Sequence, residues 1–157
     1  MNLIGNTTIN PIIFYTGKLS GYFTWIVLIL TFFNVKLFNV NEFYFNKIVS
    51  IVLFMFGLIF TIISLINLGN STRLGLPTEK TIFKTEGLYK ISRNPMYVGF
   101  NLITLASFFY TLNIGIALLG IYSIIVYHLI ILGEEIFLDN RFGDEFINYK
   151  TKVKRYL

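Results

Sequence analysis

Of the chain's 157 residues, 55% are hydrophobic and 18% aromatic, and only 13% are charged, against about a quarter in a soluble domain. It has no cysteine and a single histidine, which excludes disulfides, thiolate metal sites, a cysteine nucleophile and a histidine-rich metal cluster. The net charge of +5 comes from basic residues placed beside apolar runs, a pattern suited to anionic headgroups at a membrane surface and not to nucleic acid.

Most of the length is taken up by apolar runs, so the expected fold is all-α. It is a single integral membrane bundle over 1–157, with about four transmembrane helices, a cytosolic loop and a C-terminal amphipathic helix. The first twenty residues are mildly apolar, with Pro11 interrupting and Lys18 late, and lack the marks of a signal peptide. They read as a short interfacial segment. The first span is expected from Tyr22 to about Val40, with Lys36 snorkelling near its end. After the polar connection Asn41 to Lys47 comes the clearest span, Ile48 to about Leu68, in which Gly57 and Ser64 permit close helix contact. These runs make an N-terminal half, 1–68, ahead of a second half, 69–157.

From Gly69 to Asn94 the chain is polar and reads as an ordered surface loop. Two apolar stretches, Met96 to Tyr110 and Ile114 to Leu132, flank the turn-like Thr111-Leu112-Asn113 and form a tilted helical hairpin. In the tail, Leu138, Phe142, Phe146, Tyr149 and Val153 recur at three- or four-residue steps, the stripe of an amphipathic helix on the protein or the membrane surface. Ten of the thirteen basic residues lie in the 69–95 loop or the tail, which puts both, and both termini, on the cytoplasmic side. The hairpin then brings Asn94 and Glu134 together at its open end.

The loop ends in Gly87-Leu88-Tyr89-Lys90-Ile91-Ser92-Arg93-Asn94-Pro95-Met96-Tyr97-Val98-Gly99. Asn94 followed by Pro95 is a strong helix start, because Asn caps free amides and Pro is preorganised for the first helical position. The same helix terminus, with Arg93 beside it, is also suited to an anionic group. Tyr89 and Tyr97 read either as interfacial anchors or as walls for a cationic ligand. Glu134-Glu135 reads either as solvated charge at a span end or as a carboxylate for ribose hydroxyls or a ligand's positive charge.

The pattern Gly87-x-Tyr89-x3-Arg93-Asn94-Pro95-Met96-Tyr97-x-Gly99, followed by Glu134-Glu135-x2-Leu138-x3-Phe142-Gly143-x2-Phe146-x2-Tyr149-x3-Val153, resembles the isoprenylcysteine carboxyl methyltransferase and phospholipid methyltransferase family of integral membrane enzymes. The resemblance covers roughly the last half of the chain. It implies S-adenosylmethionine as cofactor at the cytosolic face and a lipidic methyl acceptor, an isoprenylcysteine carboxylate or a phospholipid amine, entering from the bilayer. Carried over by position, Thr81, Ile82, Phe83 and Lys84 line the cofactor site, Tyr89, Asn94, Pro95, Met96 and Tyr97 complete its wall, and Glu134 closes it.

Two departures are visible. Asn94-Pro95 stands where the family has His-Pro, and Asn cannot titrate near neutral pH. Ile130 stands where isoprenylcysteine methyltransferases carry an arginine assigned to the acceptor. The nearest basic candidate is His128, read either as a satisfied histidine inside the bundle or as an acceptor contact; Arg93 is added to the catalytic side on charge grounds. Two rivals differ in class: an NADPH-dependent sterol or steroid reductase, whose usual larger span count argues against it, and a non-catalytic membrane protein retaining the fold. No metal is expected at the site.

Overall fold

The computed structural model describes residues 7–35, 37, 44–69 and 83–157. Five α-helices follow in order: α1 (Pro11–Phe32), α2 (Tyr44–Leu68), α3 (Pro95–Thr111), α4 (Ile114–Phe142) and α5 (Asp144–Lys152). A 3-10 turn, Gly87–Lys90, precedes α3. Three helices, α1, α2 and α4, are long and apolar enough to cross a membrane. α3, with 17 residues, is about 25 Å long, short for a hydrocarbon core of about 30 Å. The chain is an all-helical integral membrane protein.

The N-terminal segment differs from the sequence expectation. The interfacial segment and the span from Tyr22 are replaced by one helix that starts at Pro11 and ends at Phe32. Pro11 does not interrupt. It occupies the first helical turn, where its missing N–H costs nothing, and the Asn10 side chain accepts from the Ile12 amide at 2.9 Å. Asn34, with φ 61°, follows the helix end. Lys36, residues 41–43 of the polar connection before α2 and residues 70–82 of the loop lie outside the described residues.

Small residues set the helix spacing. A Cβ on Gly57 of α2 would meet the Ile103 side chain and the Gly99 carbonyl, and one on Gly99 of α3 would meet Thr61 and the Gly57 carbonyl. The two backbones therefore touch, with Ser50 Oγ donating to the Ala106 carbonyl at 2.7 Å further along. Gly17 and Gly21 of α1 play the same part against Val126, Ser123 and Tyr127 of α4. The core between α1, α3 and α4 is Phe14, Tyr97, Val126, Tyr127, Ile130 and Ile131. α1 and α4 run antiparallel: Ser20 Oγ donates to the Leu119 carbonyl at 2.8 Å, and Thr8 packs against Gly133. The start of α1 and the Glu134 end of α4 therefore share one end of the bundle.

The tail also departs from a single amphipathic helix. α4 runs on through both glutamates to Phe142, and Gly143, at φ 50°, breaks it. Such a conformation suits glycine, which has no Cβ to clash. α5 follows, and the last residues are extended, with Ser92 and Lys154 forming a parallel bridge. The expected apolar stripe is buried against protein: Phe146, Tyr149 and Val153 pack with Phe83, Leu138 and Phe142.

Gly99→Leu should lower stability by about 1–3 kcal/mol through overpacking of the α2–α3 contact. The measurement is thermal unfolding in detergent followed by circular dichroism; an unchanged midpoint would show that the backbones need not touch.

Candidate functional site

The site lies at the end of the bundle where α3 begins and α4 leaves its apolar run. Tyr97, in the first turn of α3, is buried and donates its hydroxyl to Glu134 Oε1 at 2.7 Å. The second Glu134 oxygen has no partner among the described residues. Tyr89, buried in the 3-10 turn, is close enough to feel the charge of Glu134. Burial, with the nearby Glu134 carboxylate, raises the Tyr89 phenol well above its ordinary value, so it stays a neutral donor. Tyr89, Tyr97 and Glu134, far apart in the chain, thus make one cluster.

Consecutive residues on a helix point about 100° apart, and the two glutamates divide accordingly. Glu135 is buried and turns to the tail. Its Oε1 accepts from Arg93 Nη2 at 2.8 Å and Arg155 Nε at 3.0 Å, and its Oε2 from Arg155 Nη2 at 2.7 Å. Arg93 is further engaged: Nε reaches Glu135 Oε1 at 3.2 Å, and Nη1 the Val153 carbonyl at 3.0 Å and the Lys150 carbonyl at 3.4 Å.

The backbone adds to this joint. The Arg93 amide donates to the Lys154 carbonyl at 2.9 Å, and Tyr149 Oη donates to the Tyr89 carbonyl at 2.5 Å. Burial pushes the Tyr149 phenol up to about 12, so it too remains a donor. The turn is tied to α2 as well, through the Leu88 amide and Asn67 Oδ1 at 3.1 Å.

Asn94 does not cap α3 with its side chain. Its Nδ2 donates to the Arg155 carbonyl at 3.2 Å, and Ser92 Oγ takes the Asn94 amide at 3.1 Å. The tail competes for the amide group that a free helix start would use. Pro95 is buried and Met96 half-buried beside Tyr97. Phe83 stacks on Phe142 at 5.0 Å between ring centres and lies edge-on to Phe146 and Tyr149, and Lys84 is half-buried next to it. Thr81 and Ile82 lie outside the described residues. His128, half-buried on α4, bonds Tyr156 Oη through Nδ1 at 2.7 Å and so meets the tail one residue past Arg155. Ile130 is fully buried in the core beside Tyr97.

Sequence reasoning missed two charged groups. Arg155, read only as part of a basic tail, is half of the Glu135 clamp. Lys18, assigned to an interfacial segment, is buried inside α1 with its ammonium 4.1 Å from the centre of the Phe14 ring. The four-residue spacing of Phe14 and Lys18 was the available signal. Among the described residues no group of three or more His, Cys, Asp or Glu is placed to hold a metal.

An all-helical membrane bundle with a carboxylate and tyrosine cluster at one end defines the class. Residues 45–145 match the family model described as phospholipid methyltransferase, from the start of α2 through the tyrosine cluster and both glutamates into α5. The chain belongs to that family. No curated protein and no solved structure matches it.

Glu135→Ala leaves Arg93 facing a low-dielectric interior and should cost about 3–5 kcal/mol. Arg155→Ala, whose side chain is 34% exposed, should cost distinctly less. Chemical unfolding of both variants in detergent checks the order, and equal losses would contradict the buried clamp.

Proposed function

We propose that the protein transfers a methyl group from S-adenosylmethionine to the headgroup amine of a membrane phospholipid, at the cytoplasmic end of the bundle. The observation that carries this reading is the Tyr97–Glu134 hydrogen bond. It joins the two separated parts of the motif within the family-matched segment.

The donor set suits the cofactor. A carboxylate with one free oxygen, held among neutral tyrosines, matches a ligand that is cationic at sulfur and carries ribose hydroxyls and an ammonium. When bound, that cofactor supplies an electrophilic methyl on a sulfonium. Tyr97 fixes the Glu134 carboxylate through Oε1, and the other oxygen faces the ligand. Tyr89, Asn94, Pro95 and Met96 form the wall on the α3 side, and Phe83 and Lys84 continue it.

With both ligands bound, the lone pair of the acceptor amine would form the new N–C bond while the C–S bonding pair stays with sulfur. The proton that the product ammonium then releases goes to water at the cytoplasmic mouth. A neutral amine needs no strong base, so the chain's main task is to align the partners and exclude water. Arg93, fully engaged with Glu135 and tail carbonyls, acts as a positioning residue. His128 secures Tyr156 and is given no part in the chemistry.

Purified protein in detergent should gain about 2.7 kcal/mol of stability from S-adenosylmethionine or its demethylated product at a hundredfold excess over Kd. NADPH should give none, and Glu134→Ala should abolish the gain. Methyl-labelled cofactor should place label in the lipid extract. Folded protein stabilised by neither compound would overturn the reading.

A further inference from the structure

Lys18 is the group that the proposed chemistry leaves unexplained. It lies about two turns into α1, a helix apolar enough to span the membrane, and it is only 8% exposed. Placing an ammonium there costs several kcal/mol unless something compensates it. The protein supplies only partial compensation. The ammonium sits over the Phe14 ring at 4.1 Å, and it is electrostatically coupled to Glu134. Among the described residues no salt bridge or hydrogen bond engages it, whereas Arg93, Arg155 and Lys150 each hold a carboxylate. A cation kept in an apolar seam with three unused donors suits an anion that arrives from outside.

Its surroundings say where that anion lies. Phe14, beneath the ammonium, belongs to the same core as Tyr97, Tyr127 and Ile130, so the charge stands in the seam between α1, α3 and α4, on the membrane side of Glu134. Further in, hydrogen bonds from Ser20 Oγ to the Leu119 carbonyl, from Trp25 Nε1 to Thr104 Oγ1 and from Ser107 Oγ to the Thr24 carbonyl cross the seam. One turn on, beside Gly21, the Ser123 and Tyr127 hydroxyls are neighbours, yet neither completes a hydrogen bond of normal geometry. Around it on the same helix turns, Tyr15, Leu19 and Tyr22 are exposed.

We propose that Lys18 is the acceptor-anchoring residue of this site: its ammonium takes the phosphodiester of an aminophospholipid that enters from the bilayer, setting the headgroup amine towards Glu134. The assignment rests on the methyl-transfer reading given above. It depends on residues outside the family-matched segment, since α1 precedes residue 45. The fully buried Ile130 offers no cation from α4, so the anchor comes from the neighbouring helix. Phosphate and amine in such a headgroup are joined by a two-carbon arm, which suits a lysine and a carboxylate that are close enough to interact but not bonded to each other.

The test uses the full chain in dodecyl maltoside micelles, which contain no phosphate, with phosphatidylethanolamine as acceptor and methyl-labelled cofactor. Lys18→Met should raise KM for the lipid at least tenfold, leave stabilisation by the demethylated cofactor in place, and leave the unfolding temperature unchanged or higher. Lys18→Arg should recover most of the affinity. Phosphatidylglycerol, a phosphodiester without an amine, should inhibit the wild type competitively and Lys18→Met only weakly. Inorganic phosphate should inhibit neither.

Wild-type turnover with an unchanged lipid KM in Lys18→Met would overturn the anchor and leave the methyl-transfer reading standing. A cofactor-stabilised wild type that methylates no phospholipid would overturn the acceptor class, and with it the anchor. Inhibition by inorganic phosphate equal to that by phosphatidylglycerol would overturn entry from the bilayer.

Discussion

The Glu135 carboxylate between Arg93 and Arg155 is the contact on which the working end of the molecule depends. Among the described residues it is the one side chain that reaches two arginines at once, and it joins the loop before α3, the late part of α4 and the final extended residues. A buried ion pair of this kind is poor evidence of net stability, because desolvation cancels much of the attraction. Its worth here is geometric. Once Glu135 is fixed, Glu134 has only one rotational setting on the helix, and that setting meets Tyr97. The two adjacent acids are therefore not duplicates: one builds the joint, and the joint aims the other.

Helix spacing makes the aim possible. The Gly57–Gly99 contact draws α3 onto α2, and Gly17 and Gly21 draw α1 onto α4. With backbones that close, the aromatic side chains fill the space between α1, α3 and α4 instead of propping the helices apart. Tyr97, Phe100 and Tyr127 pack with ring centres 5.6 to 6.0 Å apart. A short α3 also starts at a depth where a buried tyrosine reaches a carboxylate at the membrane edge.

Much of this was legible in the residues. The apolar runs of α2 and α4 announce themselves by length, and the turn around Leu112 and Asn113 marks the hairpin. The hairpin alone brings Tyr97 and Glu134 to one end. What was not legible depends on tertiary competition. Pro11 looks like a breaker until Asn10 caps the turn that it opens. Asn94 looks like a cap, but the Arg155 carbonyl claims its amide group. The amphipathic period of the tail runs straight across Gly143, because the same side chains stay on the buried side after the helix has broken. Arg155 could not be assigned from spacing, since a long side chain carries its charge far from its own backbone position.

The charges also explain how a site without cysteine, metal ligands or a titrating base at Asn94 is chemically sufficient under the proposed reading. Before ligands bind, Glu134 and Lys18 each sit in a weakly polar seam with an incomplete set of partners. A sulfonium ligand completes the first and a phosphodiester the second, so every buried formal charge then faces an opposite one. In the proposed reaction the positive charge would pass from sulfur to nitrogen. A neutral thioether and a protonated amine remain, and loss of that proton to water leaves Glu134 uncompensated again. Release and rebinding of the cationic cofactor follow from that imbalance. On that reading, a low-dielectric seam that holds two fixed opposite charges would hold the sulfonium cofactor more tightly than its thioether product.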